Sequence, residues 1–351
     1  MKQRTAIIIS PNWRDYAKKY LLDCIKSLRK QDYQGEMKFF LTDNETSEES
    51  FLYLKKIAPE AEVVRNKNND GFAKGNNDAI RIAIAEKFDY IILFNMDTVI
   101  EENCLSELVK VAESDEKIGA VQARLMLYND KSKINSLGNI THFLGFGYTD
   151  GYGQRMSDVG CRMSNIAYPS GAAVLFRAET LKKVGLFDEE FWMYNEDQDL
   201  GWRIWLAGFK CVLAPKAIVY HKYEFAKSIK QYYWMDRNRI IAIIKNYHIL
   251  TLFLVLPAWL IMELGLALFS LKQGWFKEKL KVWLYFLNPI KWLYLLKARK
   301  ESQVLRKVKD KDIVKMFSGH IWYQEVGDWK LKLVNPVFSV YWWLVKKLII
   351  W

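Results

Sequence analysis

Two stretches of this 351-residue chain carry residue types and spacings suited to chemistry. The first is 90–98, Y-I-I-L-F-N-M-D-T, where five apolar or aromatic residues run straight into the polar tip Asn95-Met96-Asp97. A run of that kind reads as a strand buried on both faces, and open α/β sheets gather their ligands where such strands end. Asn95 and Asp97 stand at i and i+2, a spacing that turns two side chains the same way. Two hard oxygens so placed can hold Mg²⁺ or Mn²⁺ against a diphosphate. An N-x-D that merely turns the chain at a strand end has the same sequence, and this stretch alone leaves both readings open. The second stretch is 187–203, F-D-E-E-F-W-M-Y-N-E-D-Q-D-L-G-W-R, with Glu196 and Asp197 just before an amphipathic helix that turns Leu200, Ile204 and Ala207 inward. Acids at a helix start suit its dipole, so capping is their plain reading.

The elements that must position these residues follow from periodicity. Residues 6–9 predict a buried strand that breaks at Ser10-Pro11-Asn12, and Leu21, Leu22, Ile25 and Leu28 then recur at helical spacing. Residues 37–42 predict a second strand ending in Asp43-Asn44. Ser47 opens a helix with Phe51, Leu54 and Ile57, and a short strand at 62–65 leads into N-K-N-N-D-G-F-A-K-G-N-N before a helix at 79–85. Strand, loop and helix recur three times before the strand at 90, which predicts a doubly wound α/β domain with a mostly parallel sheet and right-handed crossovers. Asp43, at a strand's carboxyl edge, either bonds a ribose or base or closes an Asx turn. In the loop at 69–77, Gly71 and Gly75 permit close backbone approach, Lys74 supplies charge, and Asn76 and Asn77 can donate to phosphate or ribose at a helix start. Neither G-x-x-x-x-G-K-[ST] nor G-x-G-x-x-G is present, which removes most support for a dinucleotide dehydrogenase.

D-N-E-T-S at 43–47, N-D-G-F-A-K-G-N-N at 69–77 and the strand ending N-M-D at 95–97 together resemble family 2 glycosyltransferases of the GT-A fold. The similarity covers roughly residues 5–245 and is strongest to the branch with many rhamnosyltransferases of cell-surface polysaccharide assembly. It implies an inverting enzyme that takes a sugar from a nucleotide diphosphate with Mg²⁺ or Mn²⁺ on a D-x-D-like motif. Asn95 departs from that motif at its first acid and leaves the metal leaning on Asp97. Carried across residue by residue, the general base is Asp197, with Glu196 beside it orienting the acceptor. A sugar hydroxyl is a poor nucleophile and needs a carboxylate to take its proton. Pro11, Asn12, Asp43, Asn44, Gly71, Lys74, Asn76, Asn95, Met96 and Asp97 form the expected nucleotide-sugar site. Arg203 either faces the diphosphate or pairs with Asp199 on the helix surface. His221, after a last strand at 212–219, is either structural or a third metal ligand beside Asp97 and Asn95. Pro169 to Ala173 resembles the family's small-residue turn before the acceptor site. The Gly-rich 128–155 reads as an irregular mobile segment that closes over the donor, or as a plain connection. Arg237 and Arg239 either reach the leaving diphosphate or tie a helix to the domain.

Charge divides the chain. Residues 221–351 hold 23 Lys/Arg against 9 Asp/Glu and ten of the fourteen tryptophans, whereas the first 220 residues are nearly neutral. Basic charge mixed with Trp is the composition of a membrane-interface surface, and no groove-reading motif supports nucleic acid. The apolar run at 249–271 is long enough to span a bilayer, but Pro257 and Glu263 oppose it, since a central acid costs on the order of 2.5–3.5 kcal/mol on insertion. Residues 282–296 and 334–351 read as further amphipathic helices, on the cytoplasmic leaflet or in an oligomerisation domain, with 299–315 a charged helix or linker. Four scattered cysteines suggest a reducing compartment and no zinc. The N-terminal apolar run is too short for a signal peptide, so that end is expected in the cytosol. The expected organisation is a GT-A catalytic domain at 1–245 and a helical membrane-associated region at 246–351. The expected donor is a nucleotide diphosphate sugar, with rhamnose suggested by the resemblance. The expected acceptor is a lipid-linked or growing glycan at the cytoplasmic membrane face. A catalytically silent scaffold and a processive synthase are the alternatives; the latter lacks a Q-x-x-R-W motif.

Overall fold

The computed structural model describes residues 3–45, 47–223, 229–321 and 329–351; Thr46 of the 43–47 motif lies outside the described residues. The elements run β1 (Arg4–Asn12), α1 (Tyr16–Leu28), β2 (Glu36–Asp43), α2 (Glu48–Ile57), β3 (Glu62–Arg65), α3 (Gly71–Ala85), β4 (Tyr90–Phe94), β5 (Thr98–Ile100), α4 (Cys104–Glu113) and β6 (Ile118–Leu127). They continue with β7 (Ile134–Ser136), β8 (Asn139–His142), β9 (Gly147–Thr149), α5 (Met156–Val159), β10 (Ser164–Asn165), β11 (Ala173–Arg177), α6 (Ala178–Val184), α7 (Glu196–Leu206) and β12 (Lys210–His221). The last are α8 (Ile229–Asn246), α9 (Ile249–Lys272), α10 (Phe276–Leu287), α11 (Pro289–Val304), α12 (Asp310–Ile313), β13 (Phe317–Ser318) and α13 (Trp329–Leu348).

Local chemistry accounts for the early elements. The isoleucines at 7, 8 and 9 are completely buried, as β-branched residues of a central strand should be. α1 buries Leu21, Cys24, Ile25 and Leu28 along one stripe. α2 is capped by Ser47, whose hydroxyl accepts the Ser50 N–H at 3.1 Å, and its Glu48 and Glu49 at the start and Lys55 and Lys56 at the end complement the helix dipole.

The main sheet has the order β10-β12-β6-β11-β4-β1-β2-β3, with β5 on β12 and β7 on β6. β1 is parallel to β2 and β4, and β2 to β3, as the strand-helix rhythm predicts. β11 then runs antiparallel between β4 and β6, so the sheet is mixed. A helical crossover returns the chain to the same end of the sheet and forces parallel pairing. β11 is reached instead through β7 to β10, and no such constraint applies.

The chain packs as two units. One comprises Met1–Asn139, Thr149–Ile204 and Phe209–Glu224 and holds the main sheet; the other comprises Ile140–Tyr148, Trp205–Gly208 and Phe225–Trp351. Three expectations about elements change. α3 begins at Gly71, inside the expected loop. The expected helix at 282–296 is divided between α10 and α11 because Asn288 caps a new start, accepting the Ile290 N–H at 2.9 Å with Pro289 at the first position. Residues 128–155 carry strands β7, β8 and β9 in place of irregular chain.

Candidate active site

Strand pairing brings the end of β4 to the end of β12. β5 lies antiparallel on β12 with Thr98 opposite His221, so Asp97 meets the imidazole: His221 Nε2 lies 3.2 Å from Asp97 Oδ1, and both residues are buried. His221 Nδ1 lies 2.9 Å from Asn135 Oδ1 on β7, which sets the ring's orientation. The Tyr16 phenol is raised well above its ordinary value, chiefly by burial and then by the Asp97 carboxylate beside it. Asn95 donates its N–H to Ala172 O at 3.0 Å, while its Oδ1 is buried with no partner among the described residues. A divalent cation fits this donor set. A carboxylate oxygen and an imidazole nitrogen already face each other, and a buried amide oxygen two residues away lacks a donor. Among the described residues no group of three His, Cys, Asp or Glu could hold a metal, so diphosphate oxygens would have to complete the coordination.

Asp43, at the end of β2, is fully buried. Its Oδ1 accepts from Ser50 Oγ at 2.8 Å and from Asn12 Nδ2 at 3.2 Å, whereas Oδ2 has no partner among the described residues. A buried carboxylate oxygen without a donor is costly, which makes it a place for a ligand N–H or O–H. Asn12 is held in turn by the Ala17 N–H at 2.9 Å. Asn44 bridges to Gly71 O at 3.0 Å and to Asn66 at 2.7 Å. A Cβ on Gly75 would stand 2.4 Å from Pro11 Cγ, so glycine is what lets α3 approach the end of β1.

The expected phosphate-binding loop at 69–77 is used differently. The Phe72 and Ala73 N–H groups, which a helix start could offer to a phosphate, both donate to Trp192 O, at 2.7 and 3.1 Å. Lys74 lies between Asp70 at 3.2 Å and Asp78 at 2.7 Å. Asn76 is wholly buried and donates to Phe72 O at 2.9 Å, with its Oδ1 lacking a partner among the described residues.

The carboxylate pair follows a contorted turn. Trp192, Tyr194 and Asn195 all have positive φ, at 61°, 67° and 64°, a conformation that costs non-glycine residues of order 1–3 kcal/mol each and concentrates at functional sites. At Trp192 the turn is closed by a Met193 N–H to Phe191 O bond of 2.6 Å, and it aims the Trp192 carbonyl at α3. Glu196 and Asp197 open α7. Asp197 Oδ1 accepts the Gln198 N–H at 2.8 Å and Oδ2 the Gly171 N–H at 3.4 Å. Burial pushes the Asp197 carboxyl up to about 6 in spite of those N–H groups. Glu196 is more deeply buried, has an Oε2 with no partner among the described residues, and is held well above the usual carboxylate range by burial and then by the Asp197 charge. Both carboxyls are thus raised, and Asp197, with two N–H donors on its oxygens, is the better placed of the two to hold a negative charge. Gly171 joins the two acidic stretches: it donates to Asp197, and its neighbour Ala172 accepts from Asn95.

Arg203 is not brought to this cluster. Its guanidinium bonds Asp199 at 2.9 Å and the Val184 and Leu186 carbonyls at 2.6 and 2.7 Å, an inward structural lock and not a surface pair. The pairing of Asp199 with Arg203 was legible at i and i+4, but its burial was not. Ser50, Asn135, Tyr16 and Trp192 were missed as site residues, because single Ser, Asn, Tyr or Trp residues carry no spacing signal.

This mixed sheet, with acids at or beyond its strand ends, defines a GT-A nucleotide-sugar transferase fold. Two solved structures share it at 14% identity: GalNAc-T7 with UDP, GalNAc and Mn²⁺ (TM-score 0.54, covering 70% of this chain and 48% of that one) and residues 1–349 of S. aureus TarS with UDP (TM-score 0.50, covering 98% and 90%). The chain belongs to the glycosyltransferase-like family 2, whose model matches residues 3–237. A poly-β-1,6-N-acetyl-D-glucosamine synthase of Staphylococcus epidermidis is 22% identical over 197 residues, 56% of this chain and 45% of that protein. The N-acetylglucosaminyl-diphospho-decaprenol L-rhamnosyltransferase of Mycobacterium tuberculosis is 43% identical over 56 residues, 16% of this chain and 18% of that protein. The chain thus spans less than half the length of either relative.

Proposed function

We propose that the chain is an inverting glycosyltransferase moving a sugar, with rhamnose the first candidate, from a nucleoside diphosphate to a hydroxyl of a lipid-linked or growing glycan at the cytoplasmic face of a membrane. The observation that carries this is the carboxyl pair opening α7: Asp197, which accepts the Gln198 and Gly171 N–H groups, beside the buried Glu196 and linked through Gly171 and Ala172 to the Asn95-Asp97 strand end. Asp197 takes the proton of the acceptor hydroxyl as its oxygen bonds the anomeric carbon. The bond from that carbon to the diphosphate breaks on the opposite face, so configuration inverts and the nucleoside diphosphate leaves with the electron pair. Glu196, beside it, orients the acceptor through a hydrogen bond. Asp43, braced by Asn12 and Ser50, offers its unpartnered oxygen to the nucleoside. Asp97 and His221 would hold Mg²⁺ or Mn²⁺, which when bound neutralises charge developing on the diphosphate.

The test is sugar transfer from a panel of uridine and thymidine diphosphate sugars to lipid-linked and short oligosaccharide acceptors. Product with any donor, lost in Asp197→Asn while nucleotide binding persists, supports the reading. Asn95 in place of an acid favours one rival, a silent nucleotide-sugar-binding scaffold, which would bind nucleotide yet release no sugar from any donor.

A further inference from the structure

We propose that the second unit docks on an anionic lipid bilayer through the outward faces of α9, α10, α11 and α13, entering one leaflet without crossing it. This surface is independent of the transfer site. The helices expose apolar faces and bury charge. On α9 the exposed face carries Phe253, Leu260, Ile261, Leu264, Leu268 and Leu271, each more than half exposed, while the buried face mixes the polar Thr251, Glu263 and Ser270 with the mostly smaller apolar Val255, Ala258, Met262 and Ala267. Water-facing helices have the reverse arrangement. On α10, Lys279 is completely buried, and Leu280, Leu284 and Leu287 face outward. α11 exposes Ile290, Leu293 and Leu296, and α13 exposes Val337, Val340, Leu344 and Leu348 while burying Phe338 and Trp342. Exposed apolar residues repeating at three- and four-residue spacing on several helices of one unit are a continuous demand for a non-aqueous neighbour.

The charges that such a neighbour would exclude are sealed between the helices. Glu263 of α9 accepts from Arg239 of α8 and, at 2.5 Å, from Lys279 of α10. Asp236 of α8 accepts from the same two, at 2.8 Å from Arg239 and 2.7 Å from Lys279. Two acids against two bases make a neutral cluster, so the acid that opposes insertion of the apolar run is already compensated within the protein.

Charge selects the occupant. With 23 basic against 9 acidic residues over 221–351, a second copy of this unit would meet its own positive field, whereas anionic headgroups complement it. Length selects the depth. α10 and α11, at 12 and 16 residues, reach about 18 and 24 Å, short of a hydrocarbon core of about 30 Å, yet each exposes an apolar face. Among the described residues only α9 is long and apolar enough to cross, and its inner face is tied to α8 and α10 through Glu263. Apolar faces on helices too short to span fit a unit lying in the interface.

The test is co-sedimentation of the full chain with vesicles of phosphatidylcholine containing about one-third phosphatidylglycerol, and with phosphatidylcholine alone. The intact chain should partition at least tenfold more strongly to the anionic vesicles. The double variant Leu264→Glu, Leu268→Glu, outward on α9 and outside the unit that holds the side chains assigned to transfer, should lose at least tenfold with its circular dichroism unchanged. A membrane-impermeant maleimide added outside intact vesicles should label Gln273→Cys beyond the labelling of the parent chain. Undiminished partition of the double variant would overturn the docking face, and labelling only after permeabilisation would overturn the single-leaflet placement. A chain that ignores both vesicles but forms a dimer broken by the double variant would assign the face to a second copy. Failure of docking with retained sugar transfer to a short soluble acceptor would leave the transferase reading standing, and the converse result would leave the docking surface standing.

Discussion

Asp197→Asn should make the protein more stable and inactive at the same time, and the balance depends on pH. Burial raises this carboxyl from its ordinary 3.8 to about 6, a lift equivalent to at most about 3 kcal/mol. A raised folded-state pKa means that the group's contribution is fully present below its ordinary value and lost as pH rises through about 6, so above pH 7 the ionised side chain strains the fold. Asparagine is nearly isosteric. Its oxygen can keep the Gln198 N–H bond of 2.8 Å, and only the long 3.4 Å contact from Gly171 goes, worth at most about 1 kcal/mol. The expected net gain at pH 8 is about 1–2 kcal/mol, vanishing or reversing at pH 4. Transfer should fall by about 10²–10⁴-fold, the usual worth of a general base. Denaturant unfolding of both proteins at the two pH values, with transfer assayed at pH 8, measures all of this. A variant destabilised equally at both pH values, or one that still turns over, would refute the assignment of Asp197 as a desolvated base.

In the unaltered protein, the transfer rate should fall as pH drops through about 6, where Asp197 gains its proton; a flat profile to pH 5 would remove the base. Asp97→Ala should weaken nucleotide-sugar binding in the presence of Mn²⁺ and leave metal-free binding nearly unchanged, read by calorimetry with and without the ion. Gly71→Ala puts a Cβ 2.4 Å from Trp192 O at a residue with φ +75°, so the turn before Glu196 must shift; about a hundredfold loss of turnover is expected with circular dichroism retained, since displacement of about 1 Å can cost that much. Arg203→Met breaks the ion pair of the buried Asp199 carboxylate and should cost about 3–5 kcal/mol of stability, seen in thermal unfolding, with no specific effect on nucleotide affinity in whatever remains folded.

Local sequence was enough for much of the scaffold. Apolar runs that end in polar tips marked β1, β2 and β4, helical periodicity marked α1 and α2, and their alternation implied the parallel half of the sheet, because these patterns record which face of each element is buried. The resemblance carried by 43–47, 69–77 and 95–97 led to the same family that the match over residues 3–237 establishes. The direction of β11 was not legible, since pairing across the sheet is chosen by partners distant in the chain.

The site divides the same way. Residue types and spacing marked Asn95 and Asp97 as possible ligands, because the chemistry of a side chain is a property of the residue, whereas Glu196 and Asp197 passed from helix capping to chemistry only through the family resemblance. Which atoms are left without a partner is a property of the packing. Only the tertiary structure placed His221 against Asp97 across 124 residues, left one oxygen of Asp43 without a partner among the described residues, spent the Phe72 and Ala73 N–H groups of α3 on Trp192, and folded Arg203 inward. Only it put Lys279 inside and its neighbouring leucines outside, since burial energy is settled by the neighbours a side chain finds and not by the residues beside it in sequence.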